Sequence, residues 1–157
     1  DVCSSNGGDM FGTMRTAVGM QRALDNAPAV ETGEVIERIG LSCADVLQFA
    51  TIDGANAAGL GHVTGSIEVG KAADIVVLDD RSLAITPMNN PFGAVVYGAH
   101  PGLVRDVFVD GNHVKKDGAL VGVDYDKLKQ MALTARDHII GEMPGAKLGG
   151  SWHPELG

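Results

Sequence analysis

The 157-residue sequence has only two cysteines, Cys3 and Cys43, which form neither a CxxC pair nor a disulfide framework. A reducing compartment suits such a chain, and the cytoplasm is the expected location. Runs of basic residues are also missing. The longest is the pair Lys115-Lys116, and 20 acidic side chains against 12 basic ones leave a formal net charge of -8. That excludes nucleic acid as a partner, because binding phosphates requires a basic footprint, and it disfavours an anionic membrane surface for the same reason. No apolar run approaches the roughly 20 residues that cross a bilayer; a strong one, Ile75-Val76-Val77-Leu78, is far shorter. The start of the chain lacks the basic, apolar and small-residue regions of a secretory signal. It opens on Asp1 rather than Met, and so reads as a processed product or a fragment. None of the five histidines, His62, His100, His113, His138 and His153, stands in an H-x-H or H-E-x-x-H arrangement, so each is expected to be structural or superficial.

What remains is ordinary globular composition, 45% hydrophobic and 20% charged, in a length that suits one core of moderate size. Apolar residues at Met10, Phe11, Met14, Ala17, Val18 and Leu24 follow one helical face and predict a first helix over 10–24, with Arg15 and Arg22 toward solvent. Asn26-Ala27-Pro28 should end it. A short second helix is expected over 32–39, with Val35, Ile36 and Ile39 inward and Gly40 as its stop. Ser42-Cys43-Ala44-Asp45 has the form of a capping box and predicts a third helix start. The Ala/Gly-rich stretch 51–60 can pack very close to a neighbour. From Gly61 the pattern changes to strands, over 66–69 and 74–78 with a Gly70-Lys71 turn between them. The continuous run 75–78 predicts a strand buried on both faces. Asp110-Gly111 and Asp117-Gly118 are hairpin signals one strand apart and predict a three-stranded antiparallel meander from residue 104 onward. Leu128, Met131, Ala132, Ala135 and Ile139 predict a last helix over 125–140, capped by Asp124 and followed by an extended tail.

Two stretches carry a more specific message. The first, Asp1-Val2-Cys3-Ser4-Ser5-Asn6-Gly7-Gly8-Asp9-Met10-Phe11, leads into a helix with Met14-Arg15. The second runs from Ala50-Thr51-Ile52-Asp53-Gly54-Ala55 through Gly65-Ser66-Ile67-Glu68-Val69-Gly70-Lys71-Ala72-Ala73-Asp74 to Ile75-Val76-Val77-Leu78-Asp79. In order and spacing they resemble the amidohydrolase superfamily, in its cytosine deaminase, guanine deaminase and triazine chlorohydrolase branch. Val104 to Gly111 likewise resembles that branch's V-x-x-V-x-V-x-G strand. The resemblance covers residues 1–124.

The fold it implies is α/β: the C-terminal end of a (β/α)8 TIM barrel, plus part of a small, composite β-sandwich that an N-terminal segment completes. The expected division is 1–60 for the end of the barrel, 61–123 for the β-sandwich and 124–157 for a C-terminal helix and tail. The family's metal ligands are an H-x-H pair, two further histidines and an Asp from the eighth strand, and only the Asp carries over, onto Asp1. That position suits it, because catalytic groups of such barrels sit at the C-terminal ends of strands.

The implied chemistry is metal-dependent hydrolysis of carbon-nitrogen bonds other than peptide bonds, with deamination of a small heterocyclic substrate foremost. A divalent metal, zinc or iron, acidifies a bound water, and the Asp1 carboxylate takes the proton and hands it to the leaving amine. Asp1 is thus both the catalytic and the metal-binding candidate. Ser4, Ser5 and Asn6 follow it in the loop where substrate is usually touched, although the family often has Asn-Asn where this chain has Asn6-Gly7. With one ligand of the set, the chain alone is expected to be inactive. The alternatives are a chlorohydrolase or cyclic-amide hydrolase of the same superfamily, or a non-catalytic β-domain module. A homo-oligomer is expected, with Trp152 available to pack on the barrel or on a neighbouring subunit.

Overall fold

The computed structural model describes residues 7–38 and 40–142. The chain divides into two compact units, one reaching to Val121 and the other starting at Gly122. The described residues form helices and one four-stranded sheet in which every pairing is antiparallel.

Helix α1 spans Met10–Thr32. Its start is set by Asp9, whose Oδ1 accepts the N–H of Gly12 at 2.8 Å and so satisfies one of the free amides of the first turn. The expected stop at Asn26-Ala27-Pro28 does not occur, and Pro28 lies inside the helix. Proline removes one donor and crowds the preceding turn. Here the turn after it stays closed, because Thr32 Oγ1 donates to the carbonyls of Pro28 and Ala29, and Ala29 itself is buried. The stop is Gly33, whose φ of 75° lies in the left-handed region and whose N–H turns back to Ala29 and Val30. That reversal also removes the helix expected over 32–39. Thr32 closes α1, residues 34–38 are irregular, Val35 is 88% exposed, and Ile39 lies outside the described residues. Gly40 is not a helix stop; its N–H donates to Asp25 Oδ2 at 2.8 Å and pins this segment to α1.

The capping box forms as expected. Ser42 Oγ accepts the N–H of Asp45, Asp45 Oδ2 accepts the N–H of Ser42, and α2 spans Cys43–Gln48. A wider, π-helical turn, Phe49–Asp53, leads into the short α3, Gly54–Ala57. Val46 of α2 packs with Met14 and Val18 of α1 and with Val96, from a segment that the sequence left unassigned. That segment, residues 79–103, is a strap of short turns: Leu83–Ile85, then α4 (Pro91–Gly93) running into a π-helical turn (Ala94–Gly98), then Pro101–Leu103. No single periodicity runs through it, yet it supplies Val96 and Ala99, both fully buried. A second core cluster, Ile85, Ala99 and Leu103, receives Phe11 from α1 and Leu78 from the sheet, and Phe11 also packs on the first cluster. The two clusters therefore meet at Phe11.

In the sheet the order is β1 (Ile75–Leu78), β2 (Val104–Val109), β3 (Asn112–Lys116) and β4 (Ala119–Leu120). Both expected hairpins are present. Asp110 and Gly111, and again Asp117 and Gly118, all have positive φ, as a two-residue turn matched to strand twist requires. Two expectations fail. Residues 66–69 form no strand; they lead into a turn closed by Lys71 N–H to Glu68 O, with Ile67 and Val69 exposed. The run 75–78 is a strand but is not buried on both faces, because β1 is the end strand of the sheet and Val76 is 57% exposed.

Beside the backbone ladders, one carboxylate links β2, β3 and the turn before β4. Asp106, buried on β2, accepts from Arg105 Nε at 2.7 Å, lies 3.0 Å from His113 Nε2 on β3, and accepts the N–H of Asp117 in the next turn at 3.2 Å. The imidazole of His113 also stacks on Phe108, its register partner, at 4.3 Å between ring centres. The Arg105 guanidinium, with the Asp117 amide and His113 assisting, holds the Asp106 carboxyl below its ordinary value.

In the second unit, α5 spans Tyr125–Glu142 and is capped as expected, Asp124 Oδ1 accepting the N–H of Lys127 at 2.9 Å. Its predicted apolar face forms, but Leu128, Met131 and Ile139 remain exposed. The expected extended tail lies outside the described residues from position 143 onward.

Two outcomes follow from this fold. Met20 and Leu24 of α1 and Val76 of β1 are large apolar residues left open to solvent, so the purified 157-residue chain is expected to aggregate and to lack a cooperative monomeric melt, as read by size-exclusion chromatography and calorimetry. A sharp transition in a monomeric peak would overturn that expectation. Because the Asp106 carboxyl titrates lower in the folded protein than in the unfolded chain, its stabilising contribution is present above the unfolded value and is lost as pH falls through the folded one. Asp106→Asn in the intact protein should therefore lower the urea midpoint at pH 6 and have progressively less effect below about pH 4; a constant deficit across that range would contradict the assignment.

Candidate functional site

Asp1, Ser4, Ser5 and Asn6, the positions picked out by the sequence, lie outside the described residues, as do Cys3, Trp152 and His153. The described residues form an open groove of about 740 Å³, walled by Met10, Phe11 and Met14 of α1 on one side and by Ile75, Val76 and Leu78 of β1 on another. The loop bearing Thr64, Gly65, Ser66 and Ile67 borders it, and most of its wall is apolar. None of this was visible in the sequence, because the groove brings α1 and the residues around Leu47 to Ala55 together with the loop at 64–67, β1 and Val95 of the strap.

The polar groups at its margin are already engaged. Asp74 accepts from Thr64 Oγ1 at 2.6 Å and, through its other oxygen, from the N–H of Asp110 at 2.7 Å. The Thr64 hydroxyl first, and the Asp110 amide second, hold its carboxyl below the usual range. A carboxylate so satisfied fastens the groove loop to the β2–β3 turn and is a poor proton acceptor near neutral pH. Lys71, in the turn after Gly70, has a side chain only 13% exposed that pairs with Glu68 at 3.2 Å and donates to Ser66 Oγ. Ser66 in turn donates to Glu68, and the hydroxyl and the ammonium together lower the Glu68 carboxyl. Among these groups no side chain stands free as a nucleophile or base.

The described histidines behave as the sequence suggested. His113 belongs to the meander, His100 accepts the N–H of Gly102 through Nδ1 at 3.2 Å, and His62 and His138 are exposed. Cys43 is partly buried against the helical core. Among the described residues no group of three or more His, Cys, Asp or Glu side chains converges as metal ligands. No helix among them is long and apolar enough to cross a membrane.

Comparison with known proteins places this geometry in context. The profile of the amidohydrolase family matches residues 1–114. A 5-methylthioadenosine/S-adenosylhomocysteine deaminase of Acetivibrio thermocellus is 35% identical over 128 residues, which is 82% of this chain and 27% of the relative. A 5'-deoxyadenosine deaminase of Methanothermobacter thermautotrophicus is 34% identical over 140 residues, covering 89% of this chain and 30% of that protein. The chain thus spans less than a third of the length of these curated relatives. Among solved structures, an adenosine deaminase from Xanthomonas campestris with bound zinc superposes with a TM-score of 0.78 at 34% identity, over 90% of this chain and 30% of that one. An atrazine chlorohydrolase from Arthrobacter aurescens complexed with zinc gives 0.70 at 21% identity, over 85% and 28%, a likeness of fold.

The groove loop supplies a test of its own construction. At Gly65, φ is 90° and an added Cβ would stand 2.7 Å from Ala55 Cβ and 2.9 Å from Ile52 Cα, whereas at Gly70, with φ 93°, it would meet open space. Gly70→Ala in the intact protein should cost about 1 kcal/mol, the penalty of the left-handed backbone alone. Gly65→Ala should lower the melting temperature by clearly more, since it adds a clash with the backbone of the π-helical turn. Equal effects would mean that the close approach is not there.

Proposed function

The chain belongs to the amidohydrolase family, and from that premise we propose that it is the C-terminal part of a metal-dependent aminohydrolase that deaminates the adenine ring of a nucleoside. The observation that carries this reading is the family match over residues 1–114 combined with relatives 34–35% identical that are named as deaminases of adenosine compounds. In this reading residues 1–60 close the barrel, 61–123 contribute to a composite β-sandwich and 124–157 form a terminal helix and tail. The four-stranded antiparallel sheet and the apolar residues left open on α1 and β1 are compatible with a partial domain of that kind.

Asp1 is the residue we assign to the chemistry, as the carboxylate that takes a proton from the attacking water and delivers it to the leaving ammonia. Ser4, Ser5 and Asn6 are assigned to substrate contact. A divalent ion, zinc or iron, supplies the acidity that makes water a nucleophile near neutral pH, and its other ligands must come from outside the described residues. The substrate is a small molecule, the intact protein is read as a homo-oligomer, and its location as the cytoplasm. Dehalogenation or cyclic-amide hydrolysis has only fold-level support, from the chlorohydrolase at 21% identity. A free-standing β-module fits poorly with Val76, open on the end strand of the sheet.

The test is to express the intact gene product, measure its zinc and iron content, and follow ammonia release from 5'-deoxyadenosine, 5'-methylthioadenosine and S-adenosylhomocysteine. Turnover of at least one, abolished by chelation and lowered about 10²–10⁴-fold in Asp1→Asn with the fold retained, is the expected result. Unchanged turnover in that variant would displace Asp1 from the chemistry. Metal-free, inactive protein would favour the non-catalytic module.

A further inference from the structure

We draw no further inference here: the strongest candidate, the open apolar groove between α1 and the free edge of β1, carries nothing beyond the reading already proposed, because nothing in the structure shows what covers it.

Discussion

The contact on which the first unit depends is the burial of Met14 and Val18 of α1 against Val46 of α2 and Val96 of the strap. Burial of each such side chain is worth on the order of 1.5–3 kcal/mol, upper-bound figures for area removed from water, and no other described cluster joins α1 to both α2 and the strap. Phe11 extends this contact. By packing on the first cluster and also on the one around Ile85, Ala99 and Leu103, it ties the helical layer to Leu78 at the end of β1. The strap has little regular structure of its own, and its position is set by the two cores it fills.

Around that apolar frame, carboxylates act as fasteners. Asp9 starts α1, Asp25 pins the segment after it through Gly40, Asp45 closes the capping box, Asp74 joins the groove loop to a hairpin turn, and Asp106 joins β2, β3 and the following turn. In each case the ionised oxygen meets a backbone N–H that would otherwise lack a partner. Several of these groups lose basicity as a result. These five carboxylates thus serve the fold, each tying one segment of backbone to another or closing a helix start.

How much could be read in advance depended on whether the signal was local. The capping box at Ser42 and Asp45, the paired Asp-Gly turns and the Asp124 cap are all present, because each is decided by hydrogen bonds within a few residues. The end of α1 differs from its sequence signal because Pro28 and Gly33 are both stop signals, and the helix stops at the glycine once Thr32 and buried Ala29 hold the last turn. The strand expected over 66–69 failed because alternating polarity needs a partner edge, and the chain turns at Gly70 instead. The strap could not be read because its turns follow no period; Val96 is buried by two helices distant in sequence. As for the site, Asp1, Ser4, Ser5 and Asn6 rest on motif resemblance, while the groove beside α1 had no sequence signature at all.

The amino-acid sequence by itself determined the family, through motifs whose order and spacing survive without coordinates, and it determined the caps and hairpin turns, whose energies are local. Only the tertiary structure decided which apolar faces are covered. Val96 and Ala99 lie fully buried while Val76, Leu24 and Leu128 stay open, since burial depends on what other segments bring to a surface. It also decided that Lys71, Asp74 and Asp106 are bound groups and not reactive ones, because a side chain's chemistry follows from the donors and acceptors that folding places around it.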